Sequence, residues 1–264
     1  MIKLIGIPFD ANSSFLKGAA YAPTRIRLME GEGSANTYAE NGLEVAEILV
    51  YHDFGDLKFE TTDAAKAFQT IETNLSELLQ DGSKVLSFGG DHSVTYPIIS
   101  AFAKRYTSLN ILHLDAHADL YGNFDDNPYS HASPFARIME KGLMKSLTQV
   151  GIRTFNAHQR EQAEKYKVNV IEMKDFNDDF LETLESPLYI SLDLDVLDPA
   201  FAPGVSHHEP GGMSTRQLLE IIQRIPVEVV GADIVEYNPM RDLNNMTAMV
   251  AYKLMKELMA KMVA

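Results

Sequence analysis

Ile111-Leu112-His113-Leu114-Asp115-Ala116-His117-Ala118-Asp119 is a short apolar run that ends on acids, with Asp115, His117 and Asp119 two residues apart. In an extended backbone every second side chain points the same way, so these three would face one side together. His113 shares their parity. Working outward, similar β-rich runs recur at 4–8, 47–52, 85–88, 148–152, 168–171, 188–195 and 227–235. Helix-like stretches fall between them at 22–29, 63–80, 95–104, 133–141, 157–165, 215–224 and 245–262. This alternation predicts an α/β protein whose parallel sheet is covered by helices on both faces. Pattern alone leaves two closures open, a doubly wound open sheet and a closed eight-stranded barrel. Both place functional groups at the C-terminal ends of strands. No repeat or low-complexity linker divides the chain, and residues 1–264 read as a single domain.

Composition narrows the function. Acidic residues outnumber basic ones 37 to 23, a net charge of −14, which disfavours nucleic acid and anionic membrane surfaces and favours a cationic ligand. Apolar residues make up 45% of the chain, enough for a sizeable core, so global disorder is excluded. The chain has no cysteine, so any metal must rest on oxygen and imidazole. No apolar stretch is long enough to span a bilayer. The opening Met1-Ile2-Lys3-Leu4-Ile5-Gly6-Ile7-Pro8 lacks the parts of a signal peptide, and a cytoplasmic location is expected.

Two further constellations join the first. Ser191-Leu192-Asp193-Leu194-Asp195-Val196-Leu197-Asp198-Pro199 sets Asp193 and Asp195 on one face of a strand, where unpaired carboxylates are costly unless they bind a cation. Phe88-Gly89-Gly90-Asp91-His92-Ser93 puts His92 after a tight turn at another strand end, with Asp91 or Ser93 able to cap the next helix. Alone, each motif also reads as a solvated turn, a strand whose acids reach water, or a helix cap. Together, two imidazoles and four carboxylates exceed the needs of one divalent ion. They suit two, bridged by Asp and roughly 3.5–4 Å apart. Oxygen and imidazole without thiolate favour Mn²⁺, with Mg²⁺, Ni²⁺, Fe²⁺ and Zn²⁺ as competitors.

These motifs, with Ser13-Ser14-Phe15-Leu16-Lys17-Gly18, Tyr129-Ser130-His131-Ala132-Ser133, Pro203-Gly204-Val205-Ser206-His207, Glu209-Pro210-Gly211-Gly212 and Gly231-Ala232-Asp233-Ile234-Val235-Glu236-Tyr237-Asn238-Pro239, resemble the ureohydrolases. That family includes arginases and agmatinases, and the likeness is greatest to the plant-arginase branch. The resemblance implies a three-layer α/β/α fold around an open eight-stranded parallel sheet, two Mn²⁺ ions per subunit, and a trimeric or hexameric homo-oligomer. It implies that His92, Asp115, Asp119 and Asp193 hold one ion, and Asp115, His117, Asp193 and Asp195 the other. Asp115 and Asp193 would bridge. His131 would be a proton shuttle, Asp119 a relay to the leaving amine, and Glu236 the partner of a guanidinium. The implied reaction is hydrolysis of a small cationic guanidino compound to urea and an amine, with L-arginine favoured over agmatine. Gly151-Ile152-Arg153 is followed by Thr154-Phe155-Asn156, without the acid that many arginases carry there. Asp125, Asp126 or Asn127 is expected to meet the substrate's amino group instead. A binuclear phosphoesterase would need a Lys/Arg cluster near these motifs, and none is seen. A silent metal-binding module would lack a ligand, the shuttle or the acid. His52, His113, His158, His207 and His208 are expected to be structural, with His113, on the parity of Asp115, the first exception to look for. The apolar stretch 246–262 is expected to serve as core or as subunit contact.

Overall fold

A computed structural model describes residues 1–32, 35–46 and 50–264. Eight strands run in chain order with seven α-helices: β1 Ile2–Gly6, α1 Ala22–Gly31, β2 Tyr51–Asp56, α2 Ala64–Leu78, β3 Lys84–Phe88, α3 Thr95–Arg105, β4 Asn110–Leu114, α4 Pro134–Glu140, β5 Ser146–Ile152, α5 Ala157–Tyr166, β6 Asn169–Glu172, β7 Leu188–Asp193, α6 Thr215–Arg224, β8 Val229–Val235 and α7 Met246–Val263. The strands form one sheet in the order β2-β1-β3-β8-β7-β4-β5-β6, and every pairing is parallel. β2 and β6 are edges, so the sheet is open and the barrel alternative falls.

Alternation along the central strands divides the core in two. Leu86, Phe88, Leu112, Leu114, Ile190, Leu192, Ala232 and Ile234 pack on one face with residues of α1, α6 and α7. Val85, Ile111, Tyr189 and Val230 pack on the other with residues of α2, α3, α4 and α5. These are the three layers. α6 is fixed at its start by a capping box, Ser214 with Gln217. α7 is buried along most of its length, including Lys256 and Glu257. Of the two roles expected for this stretch, core or subunit contact, the helix fills the first.

Besides the strand expected at 188–195, which ends at Asp193 and leaves Asp195 on the 3₁₀ turn Leu194–Val196, two sequence expectations need correction. The strand expected at 47–52 begins later, at Tyr51, and residues 47–49 lie outside the described residues. As an edge, β2 pairs only with β1 and is largely exposed, so its polar run carried no burial signal. The second concerns the extended run through Asp119. β4 ends at Leu114, and Asp119 has φ +51°, in the left-handed region. The later residues of this run are turned by a loop, not by strand alternation.

β3, β8, β7 and β4 lie side by side at the centre, and the six expected ligands, His131 and Glu236 all lie at or after their C-terminal ends. At this junction Gly90 has no room for a side chain, since an added Cβ would lie 2.0 Å from the Phe9 carbonyl oxygen. Phe9 O also accepts the Asp91 N–H at 3.0 Å, and Gly90 O accepts the Glu236 N–H at 2.9 Å. Gly90→Ala is expected to destabilise the protein by about 1–3 kcal/mol, as overpacking does. An unchanged urea-denaturation midpoint would show that the junction yields freely.

Candidate metal centre

Asp91 caps the 3₁₀ turn His92–Val94, its Oδ1 accepting the Ser93 N–H at 3.1 Å, and so sets His92 at the head of β3. The capping reading of Asp91 is right, but His92 is no bystander. Its Nε2 lies 3.0 Å from Ser191 Oγ, whose hydroxyl donates to Asp233 Oδ1 at 2.8 Å. Ser191 spends its proton on Asp233, so the His92 hydrogen sits on Nε2. The Nδ1 lone pair then faces Asp115 Oδ2 at 3.2 Å and the Oδ2 atoms of Asp119 and Asp193 at 3.1 Å each. That nitrogen is buried and has no hydrogen-bond partner among the described residues. A lone pair among three carboxylate oxygens is repulsive unless a cation or a proton lies between them.

A second nucleus adjoins the first. His117 Nδ1 lies 2.9 Å from Asp195 Oδ2 and 3.4 Å from Asp115 Oδ1. Asp115 thus offers one oxygen to each imidazole. Asp193 turns one oxygen to His92 and accepts the Asp195 N–H on the other at 2.8 Å. Of the two expected bridges, Asp115 is the one with an oxygen on each side. His113 Nε2 lies 2.7 Å from Asp115 Oδ2. The Gln149 amide donates to His113 Nδ1 at 2.9 Å and to the Ala118 carbonyl at 2.6 Å. His113 therefore carries its hydrogen on Nε2 and donates it to Asp115. It stacks on Phe135 with centroids 3.9 Å apart, and orients the carboxylate without offering a lone pair.

Burial shapes the protonation of the whole cluster. It drives the Asp193 carboxyl far above its ordinary range, and the charges of Asp195 and Asp115 add to the shift. Burial also lifts Asp195 to about 6, against the pull of His117. For His92 burial works the other way, but the carboxylates of Asp115, Asp119 and Asp193 crowded around its Nδ1 raise it well above the histidine range. The metal-free protein thus holds a proton where the field favours a cation. The orphaned Nδ1 and the hard oxygen and imidazole donors fit a divalent ion at that place.

The centre opens on a cavity of about 230 Å³ whose wall includes His117, Asp119, His131, His207 and Glu236. Glu236 follows β8 with φ +61°, a conformation costing about 1–3 kcal/mol for a residue with a side chain. Its Oε1 accepts the His92 N–H at 2.9 Å and meets His131 Nδ1 at 2.8 Å. His131 Nε2 lies 2.8 Å from Ser14 Oγ. Burial opposes charge on His131, yet the Glu236 carboxylate raises its pKa to about 9. In the metal-free protein His131 is charged below that value and loses its proton as pH rises through it. Glu236→Gln removes the raising charge and keeps the burial, so the midpoint should fall below the ordinary 6.5. NMR titration of the imidazole reads this directly; a midpoint still near 9 would assign the shift to another group.

All six expected ligands, His131 and Glu236 therefore converge. Asn127 does not. Its Oδ1 accepts the Tyr129 N–H at 2.9 Å, holding a turn, and it is absent from the cavity wall, as are Asp125 and Asp126. Both aspartates are exposed and left-handed at that turn.

The model of the arginase family matches residues 1–261. This chain belongs to the arginase family. It is 45% identical to the mitochondrial arginase 1 of Arabidopsis thaliana, over 98% of this chain and 80% of that protein. It is 34% identical to an agmatinase of Bacillus anthracis, over 98% of this chain and 90% of that one. The solved arginase from Medicago truncatula superposes with a TM-score of 0.93 at 41% identity, covering 99% of this chain and 87% of its own.

Sequence reading of this arginase-family chain passed over several residues at the site. Ser14 stood only as part of a motif, and its role is a hydrogen bond to His131. Ser191 and Asp233 fix the His92 tautomer, and two polar residues in otherwise apolar strands were the available signal. His207 was assigned a structural role, yet it lines the cavity. Burial and the neighbouring His131 hold its imidazole below the ordinary histidine range.

Proposed function

We propose that this protein is a ureohydrolase that cleaves L-arginine to urea and ornithine, using two Mn²⁺ ions. The observation carrying the reading is His92 Nδ1 among three carboxylates, beside a Glu236–His131 pair on the same cavity. His92, Asp115, Asp119 and Asp193 would hold one ion, and Asp115, His117, Asp193 and Asp195 the other. When bound, such a pair lowers the pKa of water and supplies hydroxide near neutral pH.

The chain's own residues do the rest. Glu236 holds the planar guanidinium by charge-assisted hydrogen bonds and fixes its carbon within the cavity. A cation there neutralises the charge that raises His131, so substrate binding itself loosens the His131 proton. Through Nε2 and Ser14, His131 exchanges that proton toward the cavity mouth. Asp119 passes a proton to the leaving amine.

Agmatine is the second reading, and one observation favours it. The cavity wall contains no Lys or Arg among the described residues, so no fixed cation meets an α-carboxylate. Urea release from arginine, agmatine and guanidine after Mn²⁺ loading decides between them. Full metal content without urea from any of the three would end the proposal. Family likeness further supports a trimeric or hexameric homo-oligomer. Light scattering at micromolar concentration should give a multiple of 29.4 kDa, and a monomer mass would refute assembly.

A further inference from the structure

Among the cavity's imidazoles, His207 has nothing to do. His131 is held by Glu236 and Ser14, and His117 faces Asp115 and Asp195. No hydrogen bond engages either ring nitrogen of His207 among the described residues; its neighbours are rings. His131 lies 5.4 Å away between centroids, His117 5.8 Å and Phe15 5.3 Å. Phe15 is exposed and covers the outer face of His207, while the inner side meets the two imidazoles that flank Glu236 and the ligand cluster.

The backbone under His207 is fixed to the strand end that carries Glu236. Val205 pairs with Tyr237, Asn238 N–H donates to Gly204 O at 2.7 Å, and Asn238 Nδ2 donates to Ser206 Oγ at 2.9 Å. His207 and Glu236 therefore sit next to backbone segments that are bonded to one another, and both line the cavity. A guanidinium has only donors, five N–H in one plane for a monosubstituted group, and a carboxylate takes at most two of them bidentately. An N–H left facing an apolar or cationic wall costs affinity.

We propose that His207 is a substrate-contacting residue whose free ring nitrogen accepts an N–H of the guanidino group, opposite Glu236. This rests on the reading of the cavity as a guanidino site, and it places the contact at the reacting end of the substrate, not at its amino-acid end.

Two variants separate the acceptor from the ring. His207→Phe keeps the stack with Phe15 and removes the nitrogen; His207→Gln keeps an acceptor. On Mn²⁺-loaded protein, calorimetry with guanidinium chloride should show binding about tenfold weaker in His207→Phe, the scale of one hydrogen bond to a charged group, and largely recovered in His207→Gln. Ornithine carries the amino-acid end without a guanidino group, so its affinity should stay unchanged in both variants, as should metal content. Equal guanidinium affinity in wild type and His207→Phe overturns the contact even if arginine is still hydrolysed. Ornithine weakened as much as guanidinium also overturns it, moving His207 to the other end of the substrate. If wild type releases no urea but guanidinium binding still depends on His207, the contact stands and the proposed reaction falls.

Discussion

Asp193→Asn should yield a folded protein with little bound metal and no measurable urea release. Asp193 Oδ1 accepts the Asp195 N–H, and an Asn carbonyl can continue to do so. The amide nitrogen then replaces Oδ2, 3.1 Å from His92 Nδ1, and donates into the lone pair that a cation needs. The substitution also removes one negative charge from a cluster whose repulsion burial has magnified. Metal affinity should fall by more than the roughly 10–100-fold typical of losing an outer-shell partner. The melting temperature of the metal-free protein should stay level or rise, because an orphaned atom gains a partner. Metal analysis and a thermal melt on one preparation test both halves. Wild-type metal content would remove Asp193 from the ligand set.

His131→Asn should retain both ions and slow turnover roughly 10²–10⁴-fold, the usual worth of a general acid–base group. His131 hydrogen-bonds to Glu236 and Ser14 and to none of the expected ligand carboxylates among the described residues, so metal analysis should match wild type. Glu236→Gln is the companion variant. It should also keep its metal but weaken substrate binding and rate together, since the partner of the guanidinium is lost. Wild-type turnover in a fully loaded His131→Asn protein would reduce the histidine to a neighbour of the site.

The sequence carried the sheet because its central strands are buried on both faces. Runs such as Val85–Phe88 and Leu188–Asp193 are short, mostly apolar and bounded by loop residues, which reads as strand and not as helix. All seven helix-like stretches match α1 to α7. β2 was misplaced for the opposite reason: an edge strand paired on one side need not be apolar. The ligands were legible by type and order, but not by path. Asp119 reaches His92 through a left-handed residue, which no alternation rule anticipates. Asn127 was named with Asp125 and Asp126 because their polar loop resembles the plant branch, and nothing in a polar loop distinguishes a substrate contact from a turn. His207 was passed over because its use depends on Gly204–Ser206 being stitched to Tyr237–Asn238, a pairing across some thirty residues.

The candidate metal centre is built on β3, β4 and β7, with β8 between β3 and β7, so His92, Asp115 and Asp193 meet only when strands far apart in the chain are already side by side. An ion recognising that set binds the folded chain and finds no equivalent in the unfolded one. Metal and folding then share a single equilibrium. An ion at 100 times its dissociation constant adds about 2.7 kcal/mol to the folded state, and chelation withdraws it. The heat resistance of this protein is accordingly a property of the solution's free metal as much as of the chain.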